Sequence, residues 1–156
     1  MANEIKAKLG ASTAMTITLA SLASSTAGVG RQSTLVDNTT NLYQKIHLFG
    51  KVTTGTSPTA NKAIYVYLLK ADKFSSANIL TDGAGTSDAG LTVVVAEQLI
   101  GVPTNSTSNV TYQFAVTIHN PGPCWGIAVV HDTAVNLNPT SGNHALYFVG
   151  ENPEVQ

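Results

Sequence analysis

The chain has 156 residues, of which only 11 % are charged, and a formal net charge of −1, whereas ordinary soluble domains carry about 25 % charged residues. That length supports one domain with its own core, burying roughly 68–70 % of the surface exposed on unfolding. The single cysteine, Cys124, excludes an intrachain disulfide, and no basic run is dense enough to argue for nucleic acid.

Polarity comes instead from 12 Ser and 20 Thr. Such a surface lacks the net charge by which free monomers repel one another, and it points to life in an assembly. The charges are also segregated. All eight basic residues (Lys6, Lys8, Arg31, Lys45, Lys51, Lys62, Lys70, Lys73) lie with three acids in the first part of the chain, and six acids follow with no Lys or Arg. Either the halves interleave and neutralise each other in one sandwich, or the surface is bipolar and suited to contacts between unlike faces.

Lys6 and Lys8 precede the moderately apolar Met15-Thr-Ile-Thr-Leu-Ala-Ser-Leu-Ala23, which has the outline of a secretion signal. Thr and Ser break the apolar run, and it is too short and polar for a membrane span. The alternation of Met15, Ile17 and Leu19 predicts a strand instead. Ser24 to Asn41, rich in Ser, Thr, Gly and Asn, reads as a long irregular connection of the kind that drapes over a partner. Leu42 to Val52 is the clearest half-buried strand, with Leu42, Ile46, Leu48 and Val52 inward and Tyr43, Lys45, His47 and Lys51 outward. Ile64 to Ala71 is apolar on both sides, as a central strand is.

A helical turn is expected near Lys73–Leu80, then a loop over Asp82–Gly90 and a strand over Leu91–Val102 with a bulge near Glu97. Val110 to Ile118 places Tyr112, Phe114, Val116 and Ile118 on one face; Asn120-Pro-Gly-Pro123 turns the chain, and Cys124 to His131 returns as the second strand of a hairpin. A last strand covers Ala145–Val149. About eight strands separated by Gly, Pro and Asn turns predict an all-β, single-domain antiparallel β-sandwich, jelly-roll-like, with an extended N-terminal segment. Residues 1–30 are read as an arm and first strand packing on partners or on the sandwich, and residues 31–156 as the sandwich itself.

Chemistry has little to build on. A zinc site would need His119, His131 and His144 to converge, and their spacing matches no ligand motif. Asp82 and Asp88 flank a glycine-rich loop but lack the calcium-loop pattern. Cys124 sits between Pro123 and Trp125 on an apolar strand, where a thiol is an inert small hydrophobe. With no Gly-x-Ser-x-Gly elbow and no carboxylate pair, the expectation is a non-enzyme with no catalytic, cofactor or metal residues. Trp125 and most Tyr and Phe residues fall at core positions, whereas Tyr43 and Phe49 are candidates for an exposed contact with another subunit.

The passage Gly30-Arg-Gln-Ser-Thr-Leu-Val-Asp-Asn-Thr-Thr-Asn-Leu-Tyr-Gln-Lys-Ile-His-Leu-Phe-Gly-Lys-Val52, followed by Ile64-Tyr-Val-Tyr-Leu-Leu69, resembles a pattern found in small virion proteins of tailed bacteriophages. Asn120-Pro-Gly-Pro-Cys-Trp-Gly-Ile-Ala-Val-Val-His-Asp132 is similar in style to strands of their β-sandwiches. The resemblance implies a capsid decoration or cement protein on the outer surface of the head, often a homotrimer, that binds the major capsid protein and itself, with no nucleic acid or membrane partner. The interface candidates are Ile5, Lys6, Lys8, Arg31, Tyr43, Lys45, Phe49 and Lys51. Alternatives are a tail or baseplate component, or a carbohydrate-binding β-sandwich used in host attachment.

Overall fold

The computed structural model describes residues 4–155. Eleven strands are present among them: β1 (Ile5–Leu9), β2 (Thr13–Met15), β3 (Val29–Gln32), β4 (Val36–Asp37), β5 (Lys45–Thr53), β6 (Lys62–Ala71), β7 (Ala89–Thr92), β8 (Glu97–Thr104), β9 (Thr111–His119), β10 (Cys124–His131) and β11 (Ala145–Val155). The only helical element among the described residues is a 3₁₀ turn at Ser141–Asn143, so none is long and apolar enough to cross a membrane.

All pairings are antiparallel and form two sheets, the sandwich expected. In the first, β1 and β2 share one edge of β11, followed by β5 and β9; in the second the order is β7, β3, β10, β6, β8, with β4 joining β10 beyond β3. Counting β1/β2 and β3/β4 as two interrupted strands, the pairing is nested. The first pairs with the last (β11), the second with β10, β5 with β9, and β6 with β8.

That nesting corrects the expected hairpin of β9 with β10. β9 lies in the first sheet beside β5, β10 lies in the second between β3 and β6, and Asn120–Pro123 carries the chain across the sandwich. Turn chemistry reports that a chain reverses; it does not report which sheet it enters.

The core follows strand alternation. Ile46, Leu48 and Val52 of β5 and Leu146 and Phe148 of β11 face Ile64, Val66 and Leu68 of β6 and Trp125, Ile127 and Val129 of β10. Trp125 meets Phe148 edge-on across the interior, with ring centroids 5.1 Å apart at 84°, an arrangement worth about 0.5–1.5 kcal/mol beyond area burial. β10 is buried along its whole length. Its other face, with Cys124 and Ala128, packs with Leu35, Leu69 and Leu91 under Phe74, Ala77, Leu80 and Val93 of the long excursion between β6 and β8.

Other expectations shift. Met15 and Leu19 are buried as the alternation required, but the strand ends at Met15. The supposed connection Ser24–Asn41 is part of the sandwich: it contains β3 and β4, with Gln32, Ser33, Leu35 and Asn38 buried. A boundary at residue 30 therefore falls inside β3. Leu42 sits outside β5 at φ 52, 67 % exposed, rather than on its buried face. In place of a helical turn after Lys73, the Asp72 carboxylate accepts the Asn78 and Ile79 amides, the side-chain alternative to a backbone turn. The Leu91–Val102 strand is two, β7 and β8, and the bulge expected near Glu97 falls at Leu99, where the register moves between Val66–Ile100 and Tyr67–Gln98.

Candidate protein interface

The first sheet has two parts. β5 covers β11 only from Ala145 to Glu151, whereas β1 pairs with it from Glu151 to Val155. Past Glu151 the sheet is a two-stranded ribbon, and every residue of β1 is exposed. β11 runs beyond the expected end at Val149, through Gly150 and Pro153 to Val155. Gly10 N–H donates to Gly150 O at 2.8 Å and Gln44 N–H to Glu151 O at 3.2 Å; residues therefore alternate between the β1 and β5 sides, and Pro153 directs its missing donor to the side where β5 has ended. Proline is tolerated at such an edge.

An electrostatic clasp ties β5 to β11 where the ribbon leaves. Lys45 Nζ donates to Glu151 Oε1 at 2.6 Å, His47 Nε2 lies 2.8 Å from Oε2, and Thr117 Oγ1 is 3.3 Å from His47 Nδ1. The bonds from Lys45 and then His47 hold the Glu151 carboxyl below its ordinary range. A hydroxyl, an imidazole and a carboxylate in line have the order of a nucleophile, its base and an orienting acid. Here Lys45 takes the carboxylate's other oxygen, the Thr117 contact is long, and the group sits on an open sheet face, where its contacts tie β5 to β11 and β9.

Two grooves meet at this end of the sandwich. One, of about 340 Å³, is lined by Ile5, Ala7, Lys45, His119 and Pro153 among others, and the next, of about 390 Å³, by Leu42, Tyr43 and Pro123. They share Gln44 and Asn120. Asn38 holds the floor, its Nδ2 donating to Tyr43 O and Gly122 O, both at 3.0 Å.

The predicted contact residues divide accordingly. Ile5, Lys6 and Lys8 lie on the ribbon, and Tyr43 and Lys45 at its base. Ile5 is 73 % exposed; Lys6 pairs with Glu4 at 3.2 Å and Lys8 with Glu154 at 2.6 Å. The bond to Glu154 raises the Lys8 pKa. Phe49 and Lys51 are further along the outer face of β5. Phe49 stands directly opposite Tyr147 of β11, both 45 % exposed, and Lys51 donates to Gly142 O at 2.8 Å.

Two residues depart from expectation. The Tyr43 ring is half-buried, because Gly150 and Gly10 leave a slot for it; a Cβ at Gly150 would stand 2.3 Å from the ring. Arg31 lies apart on β3 in the second sheet, paired with Asp88. Burial works to raise the Asp88 pKa, but the bonds from Arg31 and Thr18 outweigh it and leave it lowered.

Of the residues weighed for chemistry, His119 lines the first groove, while His131, His144 and Asp82 are engaged locally. His131 lies 2.9 Å from both Leu22 O and Thr133 Oγ1, and His144 Nε2 2.8 Å from Asn138 O; burial lowers both pKa values. Among the described residues no three His, Cys, Asp or Glu side chains converge on a metal position. Asp82 Oδ2 accepts the amides of Val94, Val95 and Ala96 at 2.8, 2.7 and 2.6 Å, anchoring the bend before β8. Burial pushes the Cys124 thiol up to about 11. Leu9 is an exposed apolar residue that no sequence expectation named, and Leu42 and Tyr147, expected at core positions, are exposed as well; the local pattern carries no signal separating them from the core.

No family model, curated protein or solved structure matches the chain.

Proposed function

We propose that this chain is a non-enzymatic structural protein of a phage virion, which decorates the outer surface of the head by binding the major capsid protein lattice and copies of itself. The observation that carries the reading is the nested strand order, which supports a jelly roll, the architecture of many capsid and lectin domains. Support from a fold is analogy; the surface adds to it. The largest exposed apolar side chains sit on sheet faces, loop tips and the β1 ribbon, the geometry of broad protein contact. Each copy contributes a modest interface, and a lattice of copies holds by avidity.

The test is co-sedimentation with heads of the encoding phage that lack this chain. Saturable binding and raised heat resistance of the particles are expected; heads that sediment without the protein refute the proposal. Deleting residues 1–9 should weaken binding with the fold retained. A deletion through residue 30 is uninformative, since it removes buried Met15 and Leu19 and cuts β3.

A second reading is favoured by one observation. Phe49 and Tyr147 form an adjacent aromatic pair beside Lys51 and Gln113 around a shallow hollow of about 200 Å³, a surface on which a sugar ring can stack. A glycan array separates the two: binding lost in Phe49→Ala supports attachment to carbohydrate, and a blank array leaves the decoration reading.

A further inference from the structure

The outer edge of β1 is an unused hydrogen-bonding edge. β1 pairs with β11 on one side and, among the described residues, with no strand on the other. Its register opposes Lys6 to Glu154 and Lys8 to Asn152, and the Gly10 N–H bond to Gly150 O continues the same spacing. In an antiparallel ladder alternate residues direct both backbone groups to the same neighbour. Lys6, Lys8 and Gly10 therefore spend theirs on β11, and Ile5, Ala7 and Leu9 direct theirs outward.

The side chains alternate in the same way. Ile5, Ala7 and Leu9 share one face, with Ile5 73 % and Leu9 61 % exposed. Lys6 and Lys8 share the other, already ion-paired with Glu4 and Glu154. A ribbon of two strands open to water on both faces is marginal by itself, and an uncapped edge with apolar side chains is a template for strand addition.

We infer that the partner of this edge is the β1 of a second copy of this chain, added antiparallel about a two-fold axis through Ala7. The segment Ile5-Lys6-Ala7-Lys8-Leu9 reads almost the same in both directions, which is what a self-complementary interface requires. With Ala7 opposite Ala7, Ile5 falls opposite Leu9, and all three outward-facing residues of each copy gain a hydrogen-bonded partner. The apolar faces join into one patch that also includes Pro153, and the first sheets of the two copies become continuous. The opposition of Lys6 to Lys8 across the axis is offset by Glu4 and Glu154 on the same ribbon.

Five residues per copy make a small interface, in the weak and transient class, so the dimer is concentration-dependent. This contact does not depend on the virion reading. It is two-fold, whereas the phage resemblance implied a three-fold contact.

Ala7→Pro tests it selectively. The Ala7 N–H points away from β11, so proline removes a donor from the open edge while sparing the intramolecular ladder. Sedimentation equilibrium of the full chain over a wide concentration range should show a monomer–dimer equilibrium, weakened about tenfold or more in Ala7→Pro, as the loss of two interfacial hydrogen bonds, one donated by each copy, requires. Because proline can disturb the ribbon, Ile5→Lys with Leu9→Lys gives an independent disruption through the apolar face and should weaken the dimer similarly. A short bis-maleimide should link Ala7→Cys into dimers, with the buried Cys124 silent and an exposed control, Ser141→Cys, remaining monomeric. A wild-type chain that stays monomeric throughout, a trimer, or a dimer untouched by both disruptions overturns the inference.

Discussion

Replacing Gln32 tests whether the segment between β2 and β5 is part of the sandwich. Its side chain is wholly buried, and its polar bonds go to the backbone of one loop. Nε2 donates to Gly85 O at 2.8 Å and to Ser87 O at 2.7 Å, and Oε1 accepts from Ala84 N–H at 2.6 Å. Gln32→Glu keeps the shape and sets an oxygen in place of the amide nitrogen, facing two carbonyls. Each lost bond costs about 1 kcal/mol net, and the buried carboxylate oxygen that faces the two carbonyls without a donor adds about 1–3 kcal/mol. Ala84, Gly85 and Ser87 are exposed or half-buried, so water relieves the orphaned carbonyls and the low end applies. The sum is about 3 kcal/mol at pH 7, or a Tm lowered by roughly 6–12 °C for a domain of this size.

The pH dependence separates this mechanism from mere loss of packing. The carboxyl introduced by Gln32→Glu, facing carbonyls, would have a folded pKa raised above the usual value of about 4.3. Protonation supplies one donor, so the deficit relative to wild type should shrink as pH falls through that raised value. Urea denaturation of both proteins at several pH values, with hydrogen exchange at the Ala84 amide, measures it. A loss under about 1 kcal/mol, a deficit that does not shrink in acid, or unchanged exchange at Ala84 would refute the assignment of Gln32 as the staple of this loop.

Further outcomes follow from the same contacts. Burial holds His131 and His144 below the ordinary histidine value of 6.5, so below that pH the unfolded chain binds more protons; stability should decline between pH 6.5 and the lowered folded values and then level off, and a Tm flat from pH 7 to 5 would contradict it. Native Cys124, with its thiol pushed up to about 11, should resist labelling at pH 8 and react only once denaturant unfolds the chain. Gly150→Ala would drive a Cβ into the Tyr43 ring and cost about 1–3 kcal/mol, and the double variant with Tyr43→Ala should lose less than the sum of the single losses, as denaturation of all four proteins would show.

Several elements were legible because strand alternation is local. The buried face of β5 at Ile46, Leu48 and Val52, the doubly apolar β6 and the alternation of β9 all read directly from side-chain order. The burial and raised pKa of Cys124 followed from its apolar neighbours. Reading failed where a polar residue was buried for a distant partner. Gln32, Ser33 and Asn38 looked like loop residues, yet Gln32 bonds to the 84–87 loop, Ser33 to Ile127 and Asn38 to Gly122. Tyr43 looked exposed because only the fold sets Gly10 and Gly150 beneath its ring.

By itself the sequence determined the strand class, the inward face of most strands and a weakly charged surface, because each depends on residue type and a period of two. Tertiary structure decided which strand lies beside which. β9 and β10 are sequence neighbours in different sheets, while β1 and β11 pair from opposite ends of the chain. Pairing depends on closure over long separations, which no window of sequence contains. The same closure carried β11 past β5 and left the outer edge of β1 open.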